Sequence, residues 1–255
     1  MTVPKVHTVK RGGSRFYIEP TTQEKVPGVT SILNMLPKPF LQYWSAKVVA
    51  EFAVDNFGAY SALVMNGQRE AAVDLLKAAP RRYTKGRADV GSEVHDIYEQ
   101  LALGENPQVH PELQFYVDHW KAWADKFQPE FLFNEETIWS DKHRYAGSFD
   151  FIAKIDGETI VGDWKTTKST YAEVALQMSA YANADRIVRP DGNGVPLPAI
   201  TGAAVFHVND KGAEFIPASI APEVFDVFLA LRNFVFEWDA SLSKQVLGRP
   251  LWEAR

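Results

Sequence analysis

Three residues near the middle of the chain, Asp150, Asp163 and Lys165, have the types and spacing for metal-assisted hydrolysis. They lie in the stretch GSFDFIAKIDGETIVGDWKTTK, residues 147–168, where Asp156-Gly157 between two strand-like runs is the strongest short-range hairpin signal. If that pair forms a two-residue loop, Ile155 pairs with Glu158, and the same register sets Asp150 opposite Asp163 with Cβ atoms roughly 4.5–5.5 Å apart. Alternation then puts Asp163 and Lys165 on one face with Ile152 and Val161, and turns Phe149, Phe151 and Trp164 to the other. Facing carboxylates at that distance repel by roughly 3 kcal/mol at an effective dielectric of about 20. A hard divalent cation between them reverses the sign, and Lys165 adds a positive charge for the attacking water or a phosphate. The plainer alternative is a solvent-exposed acidic edge with Lys165 as its counterion.

Ordered polar residues flank this hairpin. GSEVH (91–95) precedes it and ends in His95, and LQMSAY follows it with Gln177 and Tyr181 four apart on one helical face. Together, GSEVH, Gly147 to Asp150, Asp163-Trp164-Lys165, and Gln177 with Tyr181 resemble the PD-(D/E)XK nuclease superfamily. The nearest branch is that of RecB-type exonuclease domains, which includes phage exonucleases, the mitochondrial genome maintenance exonuclease and the CRISPR-associated iron-sulfur nucleases. The resemblance covers roughly residues 85–185, and VPGVTSIL with KPFLQYW near the start is similar to the N-terminal segment of the phage and mitochondrial members.

The resemblance implies a restriction-endonuclease-like α/β core, a central mixed sheet flanked by helices, with a helical N-terminal extension. It implies metal ligation by His95, Asp150, Asp163 and the Trp164 backbone carbonyl, with one or two Mg²⁺ or Mn²⁺ ions bound. Imidazole suits Mn²⁺ better than Mg²⁺. Lys165 would orient or activate the water, and Gln177 and Tyr181 would support the site and touch the nucleic-acid backbone. Glu135 and Glu136 occupy the preceding strand, where family members often carry an acid, and Glu136 is the preferred catalytic candidate. Lys85, Arg87 and Lys168 are candidate phosphate contacts, Thr30 and Ser31 a helix start able to meet a phosphate, and Tyr43 and Trp44 candidate stacking residues.

The activity implied is divalent-metal-dependent deoxyribonuclease action from strand ends, in phage recombination or repair. DNA with an end would be the substrate, and a single-strand annealing or recombination protein a partner. A structure-specific or restriction-like endonuclease, or a non-catalytic nucleic-acid-binding scaffold, are the alternatives.

Composition narrows these readings. The chain has 255 residues and a net charge of −5, so a polyanion partner needs a local basic patch. It has no cysteine, which excludes disulfides, thiolate zinc sites, cysteine nucleophiles and the iron-sulfur cluster of one branch of the family. No signal-like segment opens the sequence and no apolar run approaches the ~20 residues of a membrane span, so a cytoplasmic location, that of the host for a phage protein, is expected.

The elements that must position these residues follow from periodicity and punctuation. Extended RFYIE leads to a helix start at Thr30 or Ser31, and helices are expected over 40–54, 67–80 and Lys85 to Gly104. In the last of these Val90, Val94, Ile97 and Leu101 form the apolar stripe. HPELQFYVDHWKAWADKF is a helix whose Trp120, Trp123 and Phe127 are core residues. A strand over 131–140, the hairpin, a helix from about Tyr171 to Ile187, a loop over 189–198, two strands and a closing helix carrying Phe225, Phe228 and Phe236 complete the chain. His143 and His207 are expected to be structural. The expected division is a mostly helical region over 1–84, a DNA-threading or end-binding element, followed by the nuclease core with its C-terminal helix over 85–255, expected to form one compact structural unit.

Overall fold

The computed structural model describes residues 5–234, 238 and 242–252. Strands β1 (Thr8–Arg11) and β2 (Ser14–Ile18) turn through Gly12-Gly13, both at positive φ, and β3 (Lys25–Pro27) completes an antiparallel three-stranded sheet. A single turn of helix, α1 (Val29–Leu33), follows. Helices α2 (Phe40–Asp55), α3 (Phe57–Met65), α4 (Arg69–Lys77) and α5 (Ala79–Ala102) come next. Pro80 lies in the first turn of α5, where its missing N–H costs nothing, so it opens a helix that was expected to start at Lys85. The helix stops where expected: Gly104, at φ 78°, donates its N–H to the Leu101 carbonyl.

After α6 (Gln114–Phe127) come β4 (Glu130–Asn134), β5 (Thr137–Ser140), β6 (Tyr145–Ser148), β7 (Phe151–Ile155) and β8 (Glu158–Lys165). Helix α7 (Glu173–Ala182), β9 (Arg186–Val188), β10 (Gly194–Pro196), β11 (Gly202–Asn209), β12 (Gly212–Pro217) and α8 (Pro222–Phe234) complete the described elements. Of the expected closing helix, Phe236 lies outside the described residues.

The fold is mixed α/β. A five-stranded sheet runs in the order β12-β11-β8-β7-β4, with β11 parallel to β8 and the other neighbours antiparallel. One face packs Phe151, Trp164 and Phe206 against Tyr98 of α5 and Trp123 of α6, in one buried apolar cluster. Trp120, Trp123 and Phe127 are therefore core side chains, as their spacing implied. Alternation turns Asp163 and Lys165 to the opposite face, against which α7 packs. A second sheet, β10-β9-β5-β6, carries the strand that runs into the site.

The expected strand over 131–140 is two strands in two different sheets. Glu135, at φ 51°, is the left-handed residue that breaks them apart and donates its N–H to the Asp150 carbonyl at 2.9 Å. The helix expected to reach Ile187 ends at Ala182, because Arg186–Val188 is recruited as β9 to pair with β5.

The described residues form two compact units, one of residues 36–93 and the other joining residues 5–35 to those from Val94 onward. The strands of residues 8–27 pair with one another and group with the sheets, not with a helical region over 1–84, because β2 and β3 pack on β6, a contact between distant segments that no local pattern reveals. Among the described residues no single helix is long and apolar enough to cross a membrane, and α2 with α3, which would reach that length together, are bent by 79°.

Candidate metal centre

The hairpin between β7 and β8 forms in the expected register, Ile155 opposite Glu158 and Ile152 opposite Val161. Asp156 and Gly157 sit at φ 51° and 84°, the two positive values that a type I′ hairpin loop requires. The ladder ends at Phe151 opposite Gly162, one pair short of the aspartates. Asp150 and Asp163 are consequently not a facing ladder pair. The Asp150 side chain takes over where the ladder stops, its Oδ2 accepting the Trp164 N–H.

Asp150 and Asp163 are 7% and 3% exposed, which rules out the solvent-exposed acidic edge. His95, on α5, brings Nδ1 to 3.4 Å from Asp150 Oδ1 and 3.8 Å from Glu135 Oε1. The ligand atoms of His95, Glu135 and Asp150 all lie within 4.8 Å of one another, a spread that one ion with bonds of roughly 2.0–2.6 Å spans. Carboxyl oxygens with one imidazole are a donor set suited to Mn²⁺ and Mg²⁺.

This group differs from the expected one in two places. Glu135, not Glu136, faces His95 and Asp150. The left-handed turn at Glu135 breaks strand alternation, and Glu136 instead lies 3.6 Å from Arg189 Nε. Asp163 is held apart from the ligand-spaced group: Oδ2 pairs with Lys165 Nζ, and Oδ1 accepts from Gln177 Nε2 at 3.2 Å. Lys165, the next residue on the same face of β8, has a side chain 30% exposed, against 4% for that of Asp163.

Helix α7 places Gln177 and Tyr181 side by side, as their spacing implied, and within reach of Asp163. Gln177 Nε2 also donates to Tyr181 Oη at 3.0 Å, and Tyr181 Oη donates to the Ser148 carbonyl at 2.7 Å. Tyr181 is 2% exposed with its hydroxyl so committed, which removes it as a contact to a nucleic-acid backbone.

The remaining candidates lie elsewhere. Ser31 Oγ accepts the Arg15 N–H, and the residue before α1 is Gly28, so neither Thr30 nor Ser31 caps a helix start. Trp44 packs edge-on against Tyr83 within the helical unit, while Tyr43 is 80% exposed. Lys85 and Arg87 are exposed on α5, Arg87 lying over the Tyr83 ring, and Lys168 is exposed after β8. His207 is tied to the Thr167 carbonyl and His143 packs on Phe225, the structural roles expected of them.

Burial and charge act against each other in this cluster. Burial disfavours the charged imidazole of His95, but Asp150 and Glu135 beside it raise its pKa to about 10. Burial raises the Asp163 carboxyl to about 6, with Asp150 adding to the rise and Lys165 opposing it. Asp150 is held below the usual carboxylate range, its burial outweighed by His95, Lys165 and the Trp164 N–H.

A pH dependence of stability follows. His95 takes up its proton more tightly when folded, so its contribution is fully present below its unfolded pKa of 6.5 and is lost as pH rises toward about 10. The Asp163 shift acts only between 3.8 and about 6, leaving the window above pH 7 to His95. Melting temperature in EDTA is expected to fall from about pH 7 to 9.5, and His95→Gln to flatten that slope. A wild-type slope in the variant would reassign the effect.

No protein-family model matches the chain, and no curated protein matches it. Among solved structures, one described as the crystal structure of SSO0001 aligns over 69% of this chain and 72% of its own, with 11% identity and a TM-score of 0.33. That likeness is too loose to establish a shared fold.

Proposed function

We propose that this chain is a divalent-metal-dependent deoxyribonuclease with a restriction-endonuclease-like core of the PD-(D/E)XK type, hydrolysing phosphodiesters from strand ends. The observation that carries the reading is the convergence of His95, Glu135, Asp150, Asp163 and Lys165 in one largely buried cluster, drawn from α5, the β4–β5 junction and the two arms of the hairpin. A bound Mg²⁺ or Mn²⁺ supplies positive charge opposite the phosphate and acidifies water at the site.

The residues divide the remaining work. His95, Glu135 and Asp150 would hold the ion, with the Trp164 carbonyl, and Asp163 once released from Lys165 or Gln177, as further oxygens. Lys165 offers its ammonium to an arriving phosphate and stabilises charge that builds on the phosphoryl oxygens. Gln177 fixes the orientation of Asp163, and Tyr181 fixes Gln177. Lys85, Arg87 and Lys168 are the candidates for sequence-independent backbone contacts, and Tyr43 for stacking on a base. Host-cell cytoplasm and a recombination-protein partner fit this activity.

A digestion time course on end-labelled single- and double-stranded DNA tests the reading. Label is expected to be released with Mg²⁺ or Mn²⁺ and not in EDTA, and a covalently closed circle to stay intact. Glu135→Gln is expected to slow release at least tenfold and Glu136→Gln to leave it within about twofold. Cutting of the closed circle would make the enzyme an endonuclease, and undigested linear DNA with both metals would sink the nuclease reading.

A further inference from the structure

Ser148 lies two residues before Asp150, at the end of β6, and its backbone is gripped from both sides. Its carbonyl accepts from Tyr181 Oη at 2.7 Å, and its N–H donates to Tyr17 Oη at 3.2 Å. Tyr17 Oη also lies 3.2 Å from Ser148 Oγ. Tyr17 belongs to β2, is 3% exposed, and comes from the opposite end of the sequence. The same N-terminal segment presses Val29 onto Gly147: a Cβ there would come to 3.0 Å from Val29 Cγ2 and 2.6 Å from the Tyr181 ring. Gly28 bridges to Ala146 beside it.

The hydrogen bonds form a continuous path from Tyr17 through Ser148, Tyr181 and Gln177 to Asp163 Oδ1. The same clamp fixes the backbone leading into Asp150. We infer that Tyr17 is a positioning residue for the metal-binding carboxylates, acting through Ser148, and that the N-terminal strands brace the centre from behind. This inference rests on the metal-binding reading proposed above. Physically, a carboxylate held by a second layer of hydrogen bonds enters the bound geometry without a further loss of freedom. Removing such a layer typically weakens metal binding by ten- to a hundredfold.

The test is Mn²⁺ calorimetry on the full chain, comparing wild type with Asp150→Ala, Tyr17→Phe and Val26→Ala. Tyr17→Phe removes only the hydroxyl. Val26, fully buried beside Tyr17 in the same apolar cluster, controls for a general loosening of the N-terminal strands. Tyr17→Phe is expected to raise the Mn²⁺ dissociation constant about tenfold, with near-ultraviolet circular dichroism unchanged, and Val26→Ala to leave it within about twofold of wild type while lowering the melting temperature more.

Equal weakening by both variants, or none by Tyr17→Phe, would overturn the positioning role while leaving the metal site standing. Wild-type affinity in Asp150→Ala, or no Mn²⁺ binding by wild type, would overturn both. Amide exchange at Ser148 in the metal-free protein gives a second reading: it is expected to accelerate at least tenfold in Tyr17→Phe, and an unchanged rate would contradict the clamp.

Discussion

Lys165→Met is expected to reduce metal-dependent digestion on the order of a thousandfold while retaining Mn²⁺ binding, whereas Asp163→Asn is expected to lose both activity and much of the binding. The difference comes from where the two groups sit. The Lys165 side chain is 30% exposed and pairs with Asp163 Oδ2, while Asp163 is nearly fully enclosed and is also gripped by Gln177. Removing the ammonium takes away charge that a phosphate would meet but leaves the His95, Glu135 and Asp150 group in place. Removing the carboxylate leaves Lys165 without its partner. Single-turnover digestion together with calorimetry reads both quantities, and near-wild-type digestion by Lys165→Met would remove it from the mechanism.

Gly162→Ala is expected to cost about 3 kcal/mol or more, at the upper end of what overpacking a core costs. A Cβ at Gly162 would stand 1.8 Å from Phe151 Cζ and 2.2 Å from Cε1. The ring has no room to withdraw: it stacks on Trp164 at 4.2 Å between centroids and meets Phe131 and Trp123 edge-on at 5.7 Å and 6.0 Å. Gly162 is directly opposite Phe151 and precedes Asp163, so the strain falls where the hairpin delivers its carboxylates. Thermal unfolding should show a drop of roughly 10 °C, partly restored by adding Phe151→Leu. A variant melting like wild type would mean that Phe151 has another rotamer available.

Much of this arrangement was legible in the chain itself. The Asp156-Gly157 loop set the hairpin register, because a type I′ turn demands positive φ at two successive residues and few other pairs supply it. Helical spacing put Val94, Ile97 and Trp123 in the core and Gln177 beside Tyr181. Those are local rules, and they held where the backbone stayed regular.

They failed where it did not. The family resemblance favoured Glu136 in this strand, but the left-handed Glu135 interrupts the strand and its carboxylate is the one that meets His95 and Asp150. The same register argument carried the ladder one pair too far, since nothing local announces that Asp150 leaves the strand to accept the Trp164 N–H. Pro80 read as a helix end and proved to be a beginning.

The sequence by itself determined the hairpin, the identity of its carboxylates and lysine, and the helix that supports them, because turn chemistry and side-chain periodicity act over a few residues. The tertiary structure alone decided that Glu135 joins His95 and Asp150, that Asp163 turns to Lys165 and Gln177, and that Tyr17 reaches Ser148 across 131 positions. Those outcomes depend on which buried polar groups find partners once separate elements pack together, and that accounting closes only in three dimensions.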